Sequence, residues 1–470
     1  MKPLRLHPDR LFPVDPTVRS IARRLYEQVR ALPIVSPHGH TDPAWFAGNQ
    51  PFENPTTLLI TPDHYVLRML YSQGVPLEQL GVAPRDGGWH ERDPRQAWRL
   101  FARHYPLFRA TPSRTWLDWV FSELFQIRVG LDEGTADHYF DHISALLPTD
   151  GFRPRALFER FNIEVLATTE SPLDDLAHHD AIRDSGWRGR VITAFRPDPV
   201  VDPEFEGFPE NLAQLGQITG CDTSRYDGYL AALRDRRRYF AARGATSTDH
   251  GHPTATTADL PESEARALYD RIRAGATDPR EAETFRGHML TVMAGMSIED
   301  GLVMQLHPGS FRNHNPQVYA RFGRDKGADI PSRIDFVHAL KPLLNRYGND
   351  TRLTLILFTL DESVYARELA PLAGHYPALR IGPPWWFHDS PEGMRRMRRQ
   401  TTETAGFLNT VGFNDDTRAF CSIPARHDVA RRIDCGFLAE LVSEHQIDED
   451  EAQELAHDLS YTLVKKAYRL

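Results

Sequence analysis

Two histidines near the start of the chain have a spacing that can hold a divalent cation. His38 and His40 are separated by one glycine and follow the short apolar run Pro33–Val35. Residues i and i+2 of an extended chain point to the same side, so both imidazoles can reach one point from the end of one strand. Neutral imidazole nitrogens are good ligands for a divalent ion such as zinc. The pattern therefore indicates a candidate metal site.

The same spacing occurs a second time, at His250 and His252, directly after Asp249. Since the chain has 21 histidines, such pairs also arise by chance, and the alternative for each is a loop with two solvated imidazoles. The first pair is the better candidate because it follows the first strand-like run and faces the turn-rich segment Thr41–Pro43.

Composition limits the kind of partner. The chain has 470 residues, 41% of them hydrophobic and 25% charged, with a net charge of −9. Because the basic residues are dispersed, nucleic acid is not the expected partner, and an anionic substrate would need a local cluster of arginines. No apolar run approaches the roughly 20 residues that span a bilayer, so no membrane is expected either.

The three cysteines, Cys221, Cys421 and Cys435, form neither a metal-type spacing nor a disulfide framework. The first residues lack the apolar core of a signal peptide. We therefore expect a protein of the reducing cytoplasm. Assembly into a homo-oligomer is expected only because oligomers are common.

Strands and helices alternate along most of the chain. After the opening strand, strand-like runs occur at 163–168, 191–195, 245–248, 302–306, 351–358, 379–382 and 408–411. Helical patterns precede them, as a (β/α)8 barrel requires, and one of these patterns is a long helical stretch at 210–243. Polar residues follow the strands, where such barrels gather their catalytic groups. No G-x-G-x-x-G or P-loop motif supports the competing open, doubly wound sheet. We predict the α/β class and a distorted (β/α)8 TIM barrel.

The region between the first two strands has a different pattern. Residues 58–160 are almost wholly helical in pattern, in amphipathic segments broken by proline and glycine. We predict a single barrel domain over residues 1–470, with a helical subdomain at 58–160 inserted between strands 1 and 2. Trp98 and Trp116 lie on aromatic faces that we assign to packing rather than to a cofactor.

Seven short motifs in this order carry a resemblance to a known family. They are Ser36–His40; Asp63–Tyr65 with Arg68; Thr168–Pro172; Phe195–Asp198; Gln305–Gly309 with Arg312–Asn315; Trp385–Asp389; and Asp416–Arg418. Together they make the chain resemble, nearly end to end, the uronate isomerases (glucuronate isomerase), a branch of the metal-dependent amidohydrolase superfamily.

The resemblance implies a distorted (β/α)8 barrel with a helical subdomain. It implies an enzyme that interconverts a hexuronate aldose and its ketose, D-glucuronate with D-fructuronate or D-galacturonate with D-tagaturonate. It also implies one divalent metal ion, zinc by preference, held by His38, His40 and Asp416. The expected partner is a small-molecule hexuronate.

A protein that binds a hexuronate needs a side chain that binds its carboxylate. Arginine provides one because its planar guanidinium matches a carboxylate with two parallel hydrogen bonds. Arg196, Arg312 and Arg418 follow strand ends, and Arg418 also belongs to the catalytic set that we predict. The alternative for each arginine is a structural ion pair.

Asp416 is the candidate for moving a proton between C2 and C1, in addition to holding the metal. A positioned carboxylate can act as a general base. Beside a cation and Arg418, however, its pKa should fall, which makes it a weaker base and leaves a metal-bound water as a rival. Its neighbour Asp415 is expected to be a loop or helix-capping carboxylate.

Four further side chains complete the predicted site. The Tyr65 hydroxyl could protonate the ring oxygen or bond a sugar hydroxyl, and His64 could bind substrate, if the helical segment folds over the barrel mouth. His307 could donate to a developing enediolate or approach the metal. Trp386 could offer an aromatic platform to the sugar. Packing in the protein core is the alternative for each.

The predicted reaction is ring opening, proton abstraction at C2, a cis-enediol and reprotonation at C1, with a hydride shift as the mechanistic alternative. One rival function is a metal-dependent hydrolase of lactones or amides on the same barrel. The fourth strand ends in Thr248–His250 with no lysine to bridge two metals, which disfavours a two-metal hydrolase but leaves a one-metal hydrolase open. The other rival is a non-catalytic sugar-acid binding protein.

Overall fold

Seven parallel strands form the central sheet of the protein. The computed structural model describes residues 2–275 and 278–470. The strand order is β1-β2-β3-β4-β5-β8-β9, and β6 and β7 form a separate antiparallel ribbon. The strands are β1 (Ile34–Ser36), β2 (Ile163–Glu170), β3 (Arg190–Phe195), β4 (Ser247–His250), β5 (Val303–Leu306), β6 (Ser310–Phe311), β7 (Ile330–Pro331), β8 (Leu355–Leu357) and β9 (Leu379–Ile381).

Helices account for most of the remaining chain. Several begin with a capping side chain followed by proline, as at Asp15, Asp42 and Asn54, a combination that favours a helix start. The helices are α1 (Pro16–Val29), α2 (Pro43–Gly48), α3 (Pro55–Leu59), α4 (His64–Tyr71), α5 (Pro94–His104), α6 (Pro112–Trp119), α7 (Ala136–Leu146), α8 (Pro154–Arg160), α9 (Ala177–Asp184), α10 (Asp198–Val201), α11 (Phe208–Thr219), α12 (Tyr226–Ala241), α13 (Glu262–Arg273), α14 (Pro279–Asp300), α15 (Pro316–Phe322), α16 (Phe336–Ala339), α17 (Lys341–Tyr347), α18 (Ala370–Ala373), α19 (Pro391–Ala405), α20 (Ile423–Ser443), α21 (Glu449–His457) and α22 (Leu463–Tyr468).

Both faces of the sheet are buried, as a parallel sheet requires. Side chains that alternate along the strands form two sets. One set packs with Val464 and Tyr468 of α22, and the other packs against the surrounding helices. The first set is Val35, Val165, Ala167, Ile192, Val303 and Ile356.

Seven helices, α2 to α8, lie between β1 and β2 in the sequence. Their buried aromatic side chains, among them Trp98 and Phe121, share one core with Ile34 of β1 and Leu166 of β2. The Trp98 indole N–H donates to the Ala136 carbonyl oxygen at 3.0 Å. The helices of this segment therefore pack directly against the sheet.

Two predicted elements differ from the structure. The predicted strand 408–411 is present as a single parallel bridge between Thr410 and Ile381, since a turn from Phe407 to Thr410 occupies much of its length. The predicted helical stretch 210–243 is two helices, α11 and α12, because α11 ends at Gly220, whose φ is +70°. The α/β class and the parallel sheet are as predicted.

Tyr468 of α22 hydrogen-bonds to one side chain of β5 and to one side chain of the segment that follows Thr410. Its hydroxyl donates to Oε1 of Gln305 at 2.9 Å and accepts from Nδ2 of Asn414 at 3.1 Å. Gln305 precedes His307 by two residues, and Asn414 precedes Asp416 by two. The carboxyl-terminal helix therefore supports the backbone that carries both side chains. None of the helices in residues 2–275 and 278–470 is long and apolar enough to cross a membrane.

Candidate active site

A cavity of about 450 Å³ opens at the carboxyl ends of the parallel strands. This is the edge of a parallel α/β sheet where ligands bind, because loops from several strands meet there. The predicted site residues that line the cavity are His38, His40, His64, Tyr65, Arg196, His307, Arg312, Trp386, Asp416 and Arg418. The structure thus brings together residues from the beginning, middle and end of the chain.

His38, His40 and Asp416 meet at the base of this cavity. The Nε2 atoms of His38 and His40 lie 3.4 and 3.2 Å from Oδ1 of Asp416. The loops that carry them are also joined through the backbone, since the His40 N–H donates to the Thr417 carbonyl oxygen at 3.0 Å. Asp416 has a φ of +37°, a conformation that a non-glycine residue adopts only when its surroundings enforce it.

His307 joins this group through β5. Its Nδ1 contacts Oδ1 of Asp249 at 2.7 Å, while its buried Nε2 has no hydrogen-bond partner in the described structure. The His307 ring stacks on the His38 ring at 4.8 Å between centroids. His38, His307 and Asp416 each offer one ligand atom, and these three atoms lie within 4.8 Å of one another.

This donor set fits a divalent cation. Two imidazoles and a carboxylate are ordinary ligands of a divalent metal, and the partnerless Nε2 of His307 is the kind of buried nitrogen that a cation would satisfy. Because Asp249 accepts from Nδ1–H, it orients the ring with the Nε2 lone pair directed away from it. The three-residue group contains His307 rather than His40, whose Nε2 lies 3.2 Å from the same Asp416 oxygen that His38 contacts.

The electrostatics keep the carboxylates of this group ionised. Burial opposes protonation of His38, but Asp416 and Asp249 outweigh burial and raise the pKa of this ring. Burial opposes ionisation of Asp416, but His38 and His40 hold its pKa well below the usual range. Burial likewise opposes ionisation of Asp249, and Arg196, His307 and His38 outweigh it and lower its pKa. Burial lowers the pKa of His307, which favours the neutral ring. Both carboxylates are therefore negative at neutral pH.

The three arginines predicted to bind substrate are among those that line the cavity, and each already contacts a carboxylate. Arg196 lies 2.8 Å from Asp198 and 3.2 Å from Asp249. Arg312 lies 3.0 Å from Asp329, and Arg418 lies 2.9 Å from Asp325. All three arginines therefore form ion pairs within the protein, which was the alternative to substrate binding that the sequence left open.

The helical segment reaches the mouth of the cavity through α4. Asp63 caps this helix, and the next two residues, His64 and Tyr65, have stacked rings that line the cavity. Burial raises the pKa of Tyr65 well above its usual value, so its hydroxyl stays protonated. Burial, followed by the charge of Arg418, lowers the pKa of His64 to about 3, so this ring is neutral. Trp386 packs edge-on against His64 at 5.3 Å.

A buried layer of ion pairs behind Asp416 was not predicted. Asp415, expected to be a loop or capping carboxylate, instead contacts Nε2 of His427 at 3.0 Å. Arg426 pairs with Asp389 and stacks over the Trp116 ring at 3.5 Å. Arg426 lies within helix α20, where no strand end or motif marks it. The place of Asp249 in the site was also missed, although its position at the end of β4 could have signalled it.

Glu170, from one of the family-like motifs, also lines the cavity, and its carboxyl belongs to a polar cluster at that wall. Its carboxyl accepts a hydrogen bond from the Thr193 hydroxyl and lies 3.8 Å from Nε2 of His179 on α9. The same His179 nitrogen lies 2.8 Å from the Thr168 hydroxyl. Burial raises the pKa of Glu170 to about 7. These four polar groups connect β2, β3 and α9.

Comparisons with known proteins agree on one family. A glucuronate isomerase family model matches residues 17–468. The chain is 71% identical over 469 residues to a protein named uronate isomerase from Rhizorhabdus wittichii, covering 100% of this chain and 99% of that one. The crystal structure of glucuronate isomerase from Caulobacter crescentus has a TM-score of 0.98 at 61% identity, covering 100% of this chain and 98% of that one. The uronate isomerase structure from Thermotoga maritima has a TM-score of 0.92 at 27% identity, covering 99% of both chains.

Proposed function

The chain belongs to the glucuronate isomerase family, and from this premise we propose that it interconverts D-glucuronate with D-fructuronate and D-galacturonate with D-tagaturonate. It is an enzyme of the class that interconverts an aldose and a ketose. The observation that carries the choice of substrate is the proximity of Asp416 and Arg418, two residues apart on one loop. A carboxylate able to bind a metal faces a guanidinium in the same cavity, which suits a sugar that carries a carboxylate at one end.

A divalent metal, zinc by preference, is part of the proposal. His38, His307 and Asp416 would hold it, with His40 adjacent to the shared carboxylate. A divalent ion there would supply Lewis acidity and stabilise negative charge on a substrate oxygen. Because His307 presents a lone pair at Nε2, its proposed role is ligation rather than proton donation to an enediolate.

The protein's own groups account for the proton movements. Tyr65, which stays protonated, donates to the ring oxygen as the bond between C1 and that oxygen breaks, and the proton of the C1 hydroxyl replaces it on the Tyr65 oxygen, which leaves the open-chain aldehyde. Asp416 then takes the proton from C2 and returns it to C1 through a cis-enediol, while the proton of the C2 hydroxyl moves to the C1 oxygen. Arg418 grips the substrate carboxylate, and Arg196 and Arg312 offer their remaining N–H groups to its hydroxyl oxygens. His64 and Trp386 complete the wall against which the open chain lies.

The finer architecture belongs to the same proposal. We infer one (β/α)8 barrel over residues 1–470, in which the bridge at Thr410 stands for the eighth strand. The helices of residues 58–160 would be the subdomain that delivers His64 and Tyr65 to the barrel mouth. The three cysteines are free thiols, which supports a reducing cytoplasm as the compartment.

The proposal is tested by following each hexuronate by NMR with purified protein, with and without a chelator. We expect ketose signals from both sugars, their loss after chelation and their return with added zinc. An Asp416→Asn variant should lose turnover, and full turnover would remove Asp416 as base and as ligand. Hydrolysis of a lactone without hexuronate conversion would favour the hydrolase, and tight binding without turnover would favour the binding protein.

The solvent label distinguishes the enediol from a hydride shift. In deuterated water, the enediol route places deuterium at C1 of the ketose, because the proton on Asp416 exchanges with solvent. A transferred position that stays free of deuterium throughout conversion would count against the enediol and support the hydride shift.

A further inference from the structure

The three cavity arginines that are predicted to bind substrate differ in how firmly their carboxylate partners are held. Arg196 pairs with Asp198 and Asp249, whose side chains are 8% and 2% exposed. Arg312 pairs with Asp329, which is 5% exposed and also accepts the backbone N–H of Asn313 at 2.7 Å. These acids are fixed parts of the protein, because removing a buried carboxylate from its partner carries a large desolvation cost.

The partner of Arg418 is held much less firmly. Asp325 and Arg418 are each 36% exposed, and Asp325 lies on the loop 323–329 between α15 and β7. A half-exposed pair of this kind contributes little net stability, since water solvates both groups well when they separate. Asp325 is thus the partner most readily exchanged for another carboxylate.

The loop 323–329 is built to hold Asp325 over the cavity. A Cβ at Gly327 would lie 2.6 Å from Cβ of Arg68 and 2.7 Å from the His64 carbonyl oxygen, so the loop rests directly on α4. Asp325 itself has a φ of +62°, a conformation that aspartate and asparagine tolerate better than most residues. Asp325 therefore reaches Arg418 from a fixed position beside His64 and Tyr65.

From this geometry we propose that Asp325 is an internal competitor for the substrate, which occupies Arg418 until the carboxylate of a hexuronate displaces it. The inference rests on the proposed function, because it assumes that Arg418 receives that carboxylate. The carboxylate of a charged ligand takes the place of the Asp325 carboxylate at Arg418. Arg418 therefore remains paired, and the Asp325 side chain becomes solvated by water. A neutral sugar offers no such replacement and meets an Arg418 that is already satisfied.

The matched ligands for the test are L-gulonate and D-glucitol. L-Gulonate is D-glucuronate with its aldehyde reduced, so it cannot isomerise, and D-glucitol differs from it only in replacing the carboxylate by an alcohol. Calorimetric titration of the whole protein with each compound measures binding without turnover. Turnover of D-glucuronate by the wild type is measured separately, so failure of the proposed function is seen independently of the binding result.

The informative variant is Asp325→Asn, because asparagine keeps the size and tolerates the positive φ while losing the charge. We expect the Kd for L-gulonate and the KM for D-glucuronate to fall about two- to fivefold, and the Kd for D-glucitol to stay unchanged. Asp86→Asn, which removes an exposed charge from the 84–88 turn, is the control and should change none of these values. A weaker or unchanged affinity for L-gulonate in Asp325→Asn, with unfolding unaltered, would overturn the inference.

Discussion

The His307 imidazole and the Asp249 carboxylate are joined by a 2.7 Å contact between Nδ1 and Oδ1, and both groups are almost fully buried. They come from adjacent strands, β5 and β4, and Arg196 approaches the same carboxylate at 3.2 Å. The pair therefore sets which nitrogen of His307 faces His38 and Asp416. An outer partner of this kind fixes the orientation and raises the basicity of a metal-binding imidazole.

Replacing Asp249 by asparagine should weaken metal binding. The amide side chain would keep a hydrogen-bond acceptor but lose the charge that favours a ligating imidazole, so we expect about 10- to 100-fold lower zinc affinity. Competition with a chromophoric chelator measures this value. Asp86→Asn serves again as the control, and an unchanged zinc affinity in Asp249→Asn would show that the pair does not support a metal.

Replacing Tyr65 by phenylalanine should slow the reaction. If its hydroxyl donates the proton for ring opening, kcat should fall about 100-fold, with little change in thermal unfolding. Tyr105 in the same helical segment donates to Asp118 at 2.9 Å and does not line the cavity, so Tyr105→Phe should cost about 1 kcal/mol of stability and leave kcat unchanged. Equal kcat values in Tyr65→Phe and the wild type would exclude Tyr65 as the acid.

Glu170 should make stability fall as the pH rises. Burial raises its pKa from 4.5 to about 7, so the folded state holds the proton more tightly than the unfolded state. The loss of stability begins above the pKa of Glu170 in the unfolded state. It reaches its full size, at most about 3 kcal/mol, above the pKa in the folded state. Glu170→Gln stays neutral, so its stability relative to the wild type should increase between pH 4.5 and 7. Urea unfolding at about pH 5 and pH 8, on either side of most of this interval, measures the difference.

Glu164 on the same strand provides a control with the opposite sign. Burial opposes ionisation of this carboxyl, but Lys465 and Tyr461 outweigh burial and lower its pKa. The stability that Glu164 contributes is therefore present above the unfolded pKa and is lost as the pH falls through the folded pKa. Glu164→Gln should be less stable than the wild type by a similar amount at about pH 5 and about pH 8, and should approach the wild type only below the unfolded pKa of 4.5. A Glu170→Gln profile parallel to that of the wild type would contradict the prediction.

An alanine at Gly327 should destabilise the protein more than an alanine at another left-handed glycine. Both Gly327 and Gly87 have positive φ, of 79° and 74°, but a Cβ at Gly87 would meet nothing within 4 Å. We expect Gly87→Ala to cost about 1 kcal/mol from the backbone alone, and Gly327→Ala to cost more because its Cβ would collide with α4. Thermal unfolding compares the two, and equal losses would mean that the loop 323–329 does not rest on α4.

The residues at the base of the cavity were accessible from the sequence because they follow strands. His38, His307 and Asp416 each lie just past a stretch with a strand pattern, and the parallel arrangement brings such positions together. The carboxylates that pair with the arginines could not be predicted from the sequence. Asp325 lies on a loop between α15 and β7, and no local pattern indicates which carboxylate a folded loop presents to Arg418.

Other differences have equally local causes. The strand at 408–411 has the right residues, but the turn at Phe407 leaves room for only one bridge. Arg426 and Asp389 form a buried ion pair between a helix and a loop, and the sequence around either residue does not indicate that the two pair. Pairings of this kind depend on tertiary distance, which periodicity does not report.

The hydrogen bonds of Tyr468 have a consequence for synthesis of the protein. A nascent chain on the ribosome can complete β1 to β9 well before residue 468 emerges, yet the hydrogen bonds to Gln305 and Asn414 are then still missing. The segments that lead to His307 and Asp416 should accordingly reach their final positions only after α22 has docked, late in folding.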